Sequence, residues 1–535
     1  MTIFKHSHDP TSTETAESSN VSSRRESVVS TDSSATVHPG GTDRSVNGND
    51  GVPPGEVIQA EIAAARAIPS SLLTSLGAWW NSSEQTARDS ETRLLKRIPF
   101  FRTPHEPDVQ PTPENPNPIT ARVTQVPLKD NARSSKGGRM INMCSFLTPE
   151  TKGGKEAVVL THGYGAGLAF FYRNLQEMAE ASASVGRAAY AIDWLGMGRS
   201  SRPDPKELVS GRGTSAKERV EKAERFFTDS LDEWREKMGI EKMTLIGHSL
   251  GGYIVSAYAL KYPERVDRLV LLSPAGIVNH PEKGEDIVPD AEIMDNETRE
   301  YIDSSLDHQA QQQRQNSRRP GISSAPTEYS ITTRPGVGRE ESTQSVAPTD
   351  FEADKEAKRG NHGWWKKAVY YMWEGGVSPF GLVRKLGPVG PMLVAKYSTR
   401  RFAALPEEDI ADLHDYVWTL TSSKGSSEYA ITHLLAPGAH ARWPIADRVH
   451  KLNIPIAFVY GDHDWMDIKG GYDSVASMRR AGNNHGKVIE ISHAGHHVYL
   501  DNARRTNAVI HSEIITAARR SRERAERERA MANAA

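Results

Sequence analysis

The segment most informative about the fold is Met243-Thr244-Leu245-Ile246-Gly247-His248-Ser249-Leu250-Gly251-Gly252-Tyr253. Its apolar first half is typical of a buried strand, and the apolar spacing of residues 253–262 is typical of a helix. Ser249 therefore lies on a tight turn between a strand and a helix, where glycines are needed because the backbone leaves no room for Cβ atoms. At such a turn the start of the helix and the Leu250 N–H face a reacting carbonyl group. We predict that Ser249 is a nucleophile and that its turn is formed by Gly247, His248 and Gly251.

A second glycine-rich turn, His162-Gly163-Tyr164-Gly165, follows another run of strand composition. A backbone N–H of such a turn, here that of Tyr164, supplies the second half of an oxyanion hole together with the N–H of Leu250. His162 is expected to brace the loop rather than to transfer protons. A similar turn at residues 193–200 is interpreted as scaffold.

The carboxylate and the histidine that serve a serine nucleophile of this kind follow it in the chain, first the acid and then the histidine. After the apolar run 456–460, the turn Gly461-Asp462-His463-Asp464-Trp465-Met466-Asp467 offers three carboxylates. Asp464, at the fourth position of this Gly-x-x-Asp turn, is the predicted acid, and Asp467 is the second choice.

The histidine is expected after the last apolar run, 488–491, in the sequence Ser492-His493-Ala494-Gly495-His496-His497. His496 is the predicted base, ahead of His493 and His497, because the glycine before it gives the loop freedom to place the imidazole over the serine. The chain segment between Ser249 and Asp464 is much longer than one helix and one strand require. It therefore contains an inserted cap.

Apolar runs of strand length alternate with helix patterns, of which the clearest covers Thr214–Met238. Such alternation predicts an α/β fold with a mainly parallel sheet and helices on both faces. The core is expected in two parts, residues 119–280 and 451–518, with the cap at 361–450 and a charged helix or tail at 519–535. The runs of strand length are Ala157–Thr161, Ala188–Ile192, Met243–Ile246, Leu269–Leu272, Ile456–Tyr460 and Val488–Ile491.

Three segments depart from this alternation. Residues 1–55 and the insertion 281–360 are rich in small polar residues, cannot bury enough apolar surface and are predicted to be disordered. Residues 56–118 combine a helical segment with a Pro-rich linker. Trp79 and Trp80 leave two alternatives open for this segment: packing on the core, or anchoring at a membrane surface, where tryptophan beside basic residues suits the headgroup boundary.

The composition excludes several classes of protein. The 535 residues carry 66 Lys+Arg against 68 Asp+Glu, a formal net charge of −2, without the basic excess of a nucleic-acid-binding protein. The mean hydropathy of −0.57 and the lack of an 18-residue apolar run argue against a transmembrane helix. The single cysteine, Cys144, excludes an intrachain disulfide and a multi-cysteine zinc site, and it fits an intracellular compartment.

Three motifs resemble one subfamily of the α/β-hydrolase superfamily, and the resemblance extends over residues 119–518. They are Gly247–Tyr253, the stretch Ser378-Pro379-Phe380-Gly381-Leu382 to Gly387-Pro388, and His496-His497-Val498-Tyr499-Leu500-Asp501. The subfamily includes a mitochondrial cardiolipin-specific deacylase, a lysophosphatidic acid acyltransferase, an N-acyl phospholipid lipase and a lipid-droplet coactivator of triglyceride lipase. Its His-x-x-x-x-Asp motif, here His496 and Asp501, is associated with acyl transfer. His496 is also the predicted base, however, and Asp501 could equally cap the final helix.

The resemblance implies a serine hydrolase that cleaves acyl esters of membrane lipids, in first place a phospholipase that acts on cardiolipin or another phospholipid in acyl-chain remodelling. The first alternative is an acyl-CoA-dependent lysophosphatidic acid acyltransferase, since water and a lysolipid hydroxyl compete for the same acyl-enzyme. A lipase-recruiting adaptor is the second alternative, and a soluble hydrolase of small esters is the third.

The expected chemistry needs no metal ion and no cofactor, apart from acyl-CoA as the co-substrate of a transferase. The expected partners are an acyl-lipid substrate and the surface of a membrane or a lipid droplet. The resemblance places the protein in the mitochondrion; the other expected locations are the cytoplasm and the lipid droplet.

Overall fold

The computed structural model of the protein describes residues 68–129, 138–208, 214–277, 371–373 and 375–534. The two segments predicted to be disordered, 1–55 and 281–360, lie outside these residues. Within the described ranges, no helix combines the length and the apolar character that are needed to cross a bilayer.

A sheet of eight strands forms the centre of the described part of the chain. The strands are β1 (Thr120–Pro127), β2 (Met140–Leu147), β3 (Glu156–Thr161), β4 (Ala188–Ile192), β5 (Lys242–His248), β6 (Val266–Leu272), β7 (Ile456–Gly461) and β8 (Gly486–Ile491). Their order in the sheet is β1-β2-β4-β3-β5-β6-β7-β8. β2 pairs antiparallel with both β1 and β4, and the remaining neighbours pair in parallel. The predicted α/β class with a mainly parallel sheet is confirmed.

The parallel strands are mostly apolar because both faces of the sheet are covered. Along β3, Val158 and Leu160 pack into one hydrophobic cluster, whereas Ala157 and Val159 pack into the other. Successive side chains of a strand point to opposite faces, so this alternation shows a core on each side. The structure has strands at all six predicted runs, and it adds β1 and β2, which the sequence pattern did not indicate.

Helices cover both faces of the sheet. They are α1 (Leu72–Trp80), α2 (Glu84–Leu95), α3 (Leu175–Ser184), α4 (Ala216–Lys237), α5 (Leu250–Lys261), α6 (Pro379–Lys385), α7 (Gly390–Arg401), α8 (Glu407–Ser422), α9 (Ile431–Leu434), α10 (Lys469–Arg480), α11 (Val498–Asp501) and α12 (Ala503–Ala534). Buried residues of α3 and α12 belong to one cluster, and those of α4, α5 and α10 belong to the other. The helix predicted at 214–238 is α4, which begins where the Ser215 side chain accepts the N–H of Glu218. The charged segment from residue 519 continues α12.

The helices α6 to α9, which follow β6 in the chain, form the cap, and α1 and α2 pack against it. Arg93 of α2 binds Asp412 of α8 at 2.8 Å, and Arg97 reaches the same carboxylate at 2.9 Å. In α1, the Ser75 hydroxyl donates a hydrogen bond to the Pro388 carbonyl at 2.5 Å. Ion pairs and a hydrogen bond therefore hold the N-terminal helices against the cap.

The two N-terminal helices differ in burial: packing on the core is confirmed for α2, and membrane anchoring by α1 stays a prediction. α2 packs on the core, because Leu94 and Leu95 are fully buried. α1 keeps an apolar face outward, with Leu73 81% and Trp80 77% exposed. Burial thus explains α2 but leaves the outer face of α1 without a packing partner among the described residues.

Candidate active site

Ser249 lies at the turn between β5 and α5 in a strained backbone conformation. Its φ is 52° and its ψ is −120°, and a residue with a Cβ adopts such a conformation at a cost on the order of 1–3 kcal/mol. The Ser249 N–H donates to the Leu272 carbonyl at 2.9 Å, which holds the turn. A Cβ at Gly247 would lie 2.7 Å from the Gly251 carbonyl oxygen. The predicted need for glycine in this turn is confirmed.

His496 connects Ser249 to Asp464. Its Nε2 lies 3.1 Å from Ser249 Oγ, and its Nδ1 lies 3.1 Å from Asp464 Oδ1. The three residues follow β5, β7 and β8, so the carboxyl ends of parallel strands bring them together. A carboxylate at Nδ1 fixes the imidazole tautomer and leaves Nε2 free to accept the serine proton.

Asp462 fixes the first half of the loop that carries His496. Its carboxylate accepts the N–H of His493 at 2.8 Å and the N–H of Ala494 at 3.0 Å. Burial alone would raise the pKa of Asp462, but these hydrogen bonds and the His463 imidazole outweigh it and lower the pKa. Asp462 therefore stays ionised near neutral pH. No pattern in the sequence indicated this role for Asp462.

Asp501 fixes the second half of the same loop. Its Oδ2 accepts the N–H of Gly495 at 3.0 Å, and its carboxylate pairs with Arg401 of α7 at 3.1 Å. The alternative that Asp501 caps the final helix is wrong, because Asn502 Oδ1 accepts the Arg505 N–H at the start of α12.

Asp467, the second choice for the acid, and His493 and His497, the other candidates for the base, lie in surroundings that differ from those of Asp464 and His496. Asp467 Oδ1 accepts the Lys469 N–H at 2.9 Å, at the beginning of α10. His493 occupies a turn, with a φ of 54°. His497 is packed beside Tyr499, with ring centroids 5.6 Å apart, and burial lowers its pKa well below the ordinary value. The structure thus brings Asp464 and His496 to Ser249.

The loop after β3 lies against the serine. A Cβ at Gly163 would be 2.9 Å from the Cβ of Ser249, so only glycine permits this approach. Tyr164 follows on that loop, and Leu250 is the first residue of α5. The two predicted oxyanion-hole residues are therefore on the two segments that border Ser249.

His162 braces this loop, as the sequence analysis expected. Its Nδ1 donates to the Gly163 carbonyl at 2.7 Å, and its Nε2 accepts the Trp194 N–H at 3.2 Å. Burial lowers the pKa of His162, so the neutral ring serves as donor and acceptor at once. The neighbouring 193–200 turn has scaffold contacts, since buried Asp193 accepts the Leu168 N–H at 2.7 Å.

The cap reaches the same loop through Phe380 of α6. The Phe380 ring centroid lies 5.1 Å from that of Tyr164. Gly165 has a φ of +69°, and a Cβ there would overlap the Phe380 ring. The start of α6 is held by Ser378, whose Oγ donates to buried Glu428 at 2.6 Å. The motif Ser378–Leu382 therefore joins the cap to the loop beside the serine.

The arrangement contains the parts that nucleophilic acyl transfer requires: a nucleophile, a base within hydrogen-bond distance, a carboxylate that orients the base, and backbone N–H groups beside the nucleophile. In the part of the chain that the structure describes, no three His, Cys, Asp or Glu side chains are grouped so that they could hold a metal ion.

Comparisons with known proteins agree with this fold. Residues 156–338 match the family model described as alpha/beta hydrolase fold. The chain is 31% identical over 376 residues to 1-acylglycerol-3-phosphate O-acyltransferase of Arabidopsis thaliana, covering 69% of this chain and 68% of that protein. It is 28% identical to (lyso)-N-acylphosphatidylethanolamine lipase of Mus musculus, covering 68% and 80% of the two chains. For the 1-acylglycerol-3-phosphate O-acyltransferase ICT1 of Saccharomyces cerevisiae the identity is 26%, over 64% and 78%.

Proposed function

The chain belongs to the α/β-hydrolase family, within its acyl-lipid subfamily, and on this premise we propose that it is a serine hydrolase of membrane-lipid acyl esters, in first place a phospholipase. The observation that carries the proposal is the imidazole of His496, which lies 3.1 Å from both Ser249 Oγ and Asp464 Oδ1. The names of the relatives, which are lipases and acyltransferases of phospholipids, support the substrate class.

In the proposed reaction, Ser249 Oγ attacks the ester carbonyl carbon while His496 Nε2 takes the hydroxyl proton. Asp464 stabilises the resulting imidazolium, and the N–H groups of Leu250 and Tyr164 stabilise the oxyanion. When the bond to the lipid alcohol breaks, His496 returns its proton to the leaving oxygen, and the acyl group stays on Ser249. Water that gives a proton to His496 then releases the fatty acid and restores the serine.

Acyl transfer is the alternative function, and the 31% identical relative named as an acyltransferase favours it. Acyl-CoA would then supply the acyl group in the first step, and the hydroxyl of lysophosphatidic acid would replace water in the second. Cleavage and transfer use the same side chains. The difference between them is therefore which acceptor reaches the acyl-enzyme.

Cardiolipin is the phospholipid that the sequence resemblance predicts first, and a mitochondrial location is predicted with it. Both stay predictions, and cardiolipin is therefore tested beside other phospholipids. A lipase-recruiting adaptor is disfavoured as the only role, because an adaptor has no need for the Ser249–His496 hydrogen bond.

We also propose that α1 and the cap meet the lipid surface. Leu73 and Trp80 of α1 are exposed, and so are Leu393 and Tyr397 on one face of α7. The exposed Lys396 lies between the last two. Apolar side chains interspersed with lysine suit the boundary between acyl chains and anionic headgroups. On this orientation, the cap that contacts the active-site loop through α6 faces the source of substrate.

The function is tested with purified protein and its Ser249→Ala variant on vesicles of phosphatidylcholine, phosphatidylethanolamine and cardiolipin. Lysophosphatidic acid is added with and without acyl-CoA, and all lipid products are followed by mass spectrometry. We expect free fatty acid and lysolipid from the wild-type protein, and a loss on the order of 10⁴-fold or more in the variant. Consumption of acyl-CoA with formation of a diacyl lipid would identify the transferase.

Asp467→Asn is the matched control, because its carboxylate lies at the start of α10 and not at His496. It is expected to retain the activity of the wild-type protein. Equal product formation by wild type and by a folded Ser249→Ala protein would refute the proposal.

A further inference from the structure

Asp501 belongs to the His-x-x-x-x-Asp motif, and its carboxylate binds the loop that carries His496 and an arginine of the cap. It ends the one-turn helix α11, which brings its carboxylate back to the loop that precedes the helix. Oδ2 accepts the N–H of Gly495 at 3.0 Å. Oδ1 lies 3.1 and 3.2 Å from the two terminal nitrogens of Arg401. Both carboxylate oxygens are thus engaged.

Two carboxylates together hold three consecutive N–H groups of the histidine loop. Asp462 binds those of His493 and Ala494, and Asp501 binds that of Gly495. The next residue is His496. Gly495 has no side chain that could pack, so the position of the loop at this point depends on its backbone contacts.

The hydrogen bond between His496 Nε2 and Ser249 Oγ is sensitive to the position of the loop. A misplacement of about 1 Å in a catalytic group costs on the order of 10²-fold in rate. Asp464 fixes the rotation of the imidazole, but it leaves the height of the loop above Ser249 undetermined. Two backbone contacts constrain it: the Gly495 N–H, one residue before His496, binds Asp501 at 3.0 Å, and His248 Nε2 donates to the His496 carbonyl at 3.0 Å.

From this geometry we infer that Asp501 is a positioning residue for His496 and does not select the acyl acceptor. The inference rests on the proposed function and assigns a role within the same site. His496 acts both when the acyl-enzyme forms and when it is discharged. Loss of Asp501 therefore slows hydrolysis and transfer in the same proportion. Arg401 holds the same carboxylate from the cap, so the ion pair also ties α7 to the loop.

The test compares Asp501→Ala with Asp501→Asn, whose amide oxygen can still accept the Gly495 N–H. For each variant, kcat and KM are measured for hydrolysis of phospholipid vesicles and for transfer from acyl-CoA to lysophosphatidic acid. We expect Asp501→Ala to lower kcat by about 10- to 10²-fold with an unchanged KM. The ratio of transfer to hydrolysis should stay unchanged in this variant. Asp501→Asn should recover part of the lost kcat.

Asp473→Ala is the matched control, because it removes a part-buried, ion-paired carboxylate on α10. It is expected to keep the wild-type kcat. Loss of transfer with unchanged hydrolysis in Asp501→Ala would overturn the inference and give the aspartate an acceptor-selecting role. An unchanged kcat in both reactions would overturn it as well.

The rate at which a fluorophosphonate labels Ser249 separates this inference from the proposed function. Labelling needs His496 to activate the serine but needs no lipid. If the wild-type protein is labelled rapidly and Asp501→Ala slowly while neither cleaves lipid, the proposed substrate class is wrong and the positioning role stands. Equal labelling rates in the two folded proteins would refute the positioning role.

Discussion

At the scale of single residues, Gly165 couples the cap to the loop of the proposed oxyanion hole. Its φ of +69° lies in the left-handed region that favours glycine, and the Phe380 ring occupies the space in which a Cβ would lie. The Tyr164 N–H is only one residue away. A small change at Gly165 is therefore expected to displace both the cap helix α6 and the oxyanion donor.

Gly165→Ala is predicted to lower kcat by about tenfold or more, because the new methyl group pushes the loop away from Phe380. Gly186→Ala is the matched control, since Gly186 has a φ of +75° with nothing within 4 Å of its Cβ position. Both variants carry the left-handed backbone strain, about 1–2 kcal/mol, and both should unfold at lower temperature. Only Gly165→Ala should lose activity on a short-chain ester. Equal kcat values in the two variants would show that the Phe380 contact has no catalytic importance.

The residues at the centre of the site could be predicted from sequence because each has a local signal. Ser249 lies between glycines at a strand–helix turn, and Asp464 and His496 follow apolar strands in short turns. The roles of Asp462 and Asp501 could not be predicted, because they depend on which backbone N–H groups bind each carboxylate. For Asp462 these groups lie in a loop distant in sequence, and for Asp501 the chain folds back onto the loop just before it. No spacing in the sequence specifies those hydrogen bonds.

At the scale of elements, the six strands with mostly apolar runs were predictable, and the two antiparallel strands β1 and β2 at one end of the sheet were not. β3 to β8 each contain a mostly apolar run, since helices cover both of their faces. β1 exposes polar residues such as Gln125, and β2 contains the buried Asn142, whose amide donates to Asp193 at 2.8 Å. Both strands pair antiparallel, where a continuous apolar run is not required.

For α1, the prediction concerns binding to vesicles. Replacing both Leu73 and Trp80 by serine should weaken sedimentation with anionic vesicles without changing the melting temperature, because these side chains are 81% and 77% exposed. Met531→Ser is the control, as it changes an apolar side chain that is 66% exposed near the end of α12. If the double variant binds vesicles as the wild type does, the lipid-facing surface does not include α1.

At the scale of the whole molecule, a buried carboxyl group links α2 to the sheet. Glu91 of α2 is fully buried, pairs with Arg199 and accepts the Asn142 amide at 3.1 Å. Burial raises the pKa of Glu91 from 4.5 to about 7, and the nearby Asp193 adds to the effect, while Arg199 opposes it. The folded protein therefore holds a proton on Glu91 that the unfolded chain releases near pH 4.5.

Between about pH 4.5 and 7 the folded state binds more protons than the unfolded state, so this group makes stability fall as pH rises. Glu91→Gln stays neutral and lacks this dependence. The free energy of unfolding of Glu91→Gln minus that of the wild-type protein is thus predicted to increase from pH 5 to pH 8, by on the order of 2–3 kcal/mol. Urea unfolding of both proteins at several pH values measures the difference. A difference that stays constant with pH would exclude this role of Glu91.

The pairing of β6 with β7 affects how the chain folds while it is synthesised on the ribosome. Leu269 pairs with Ile456, although residues 273–455 separate the two strands. At about 5–20 residues per second, synthesis of that interval takes roughly ten to forty seconds. During this time the apolar end of β6, Leu269–Leu272, is an unpaired edge that invites aggregation. We expect the nascent chain to require a chaperone at that edge, and the yield of active enzyme to depend on how long the edge stays covered.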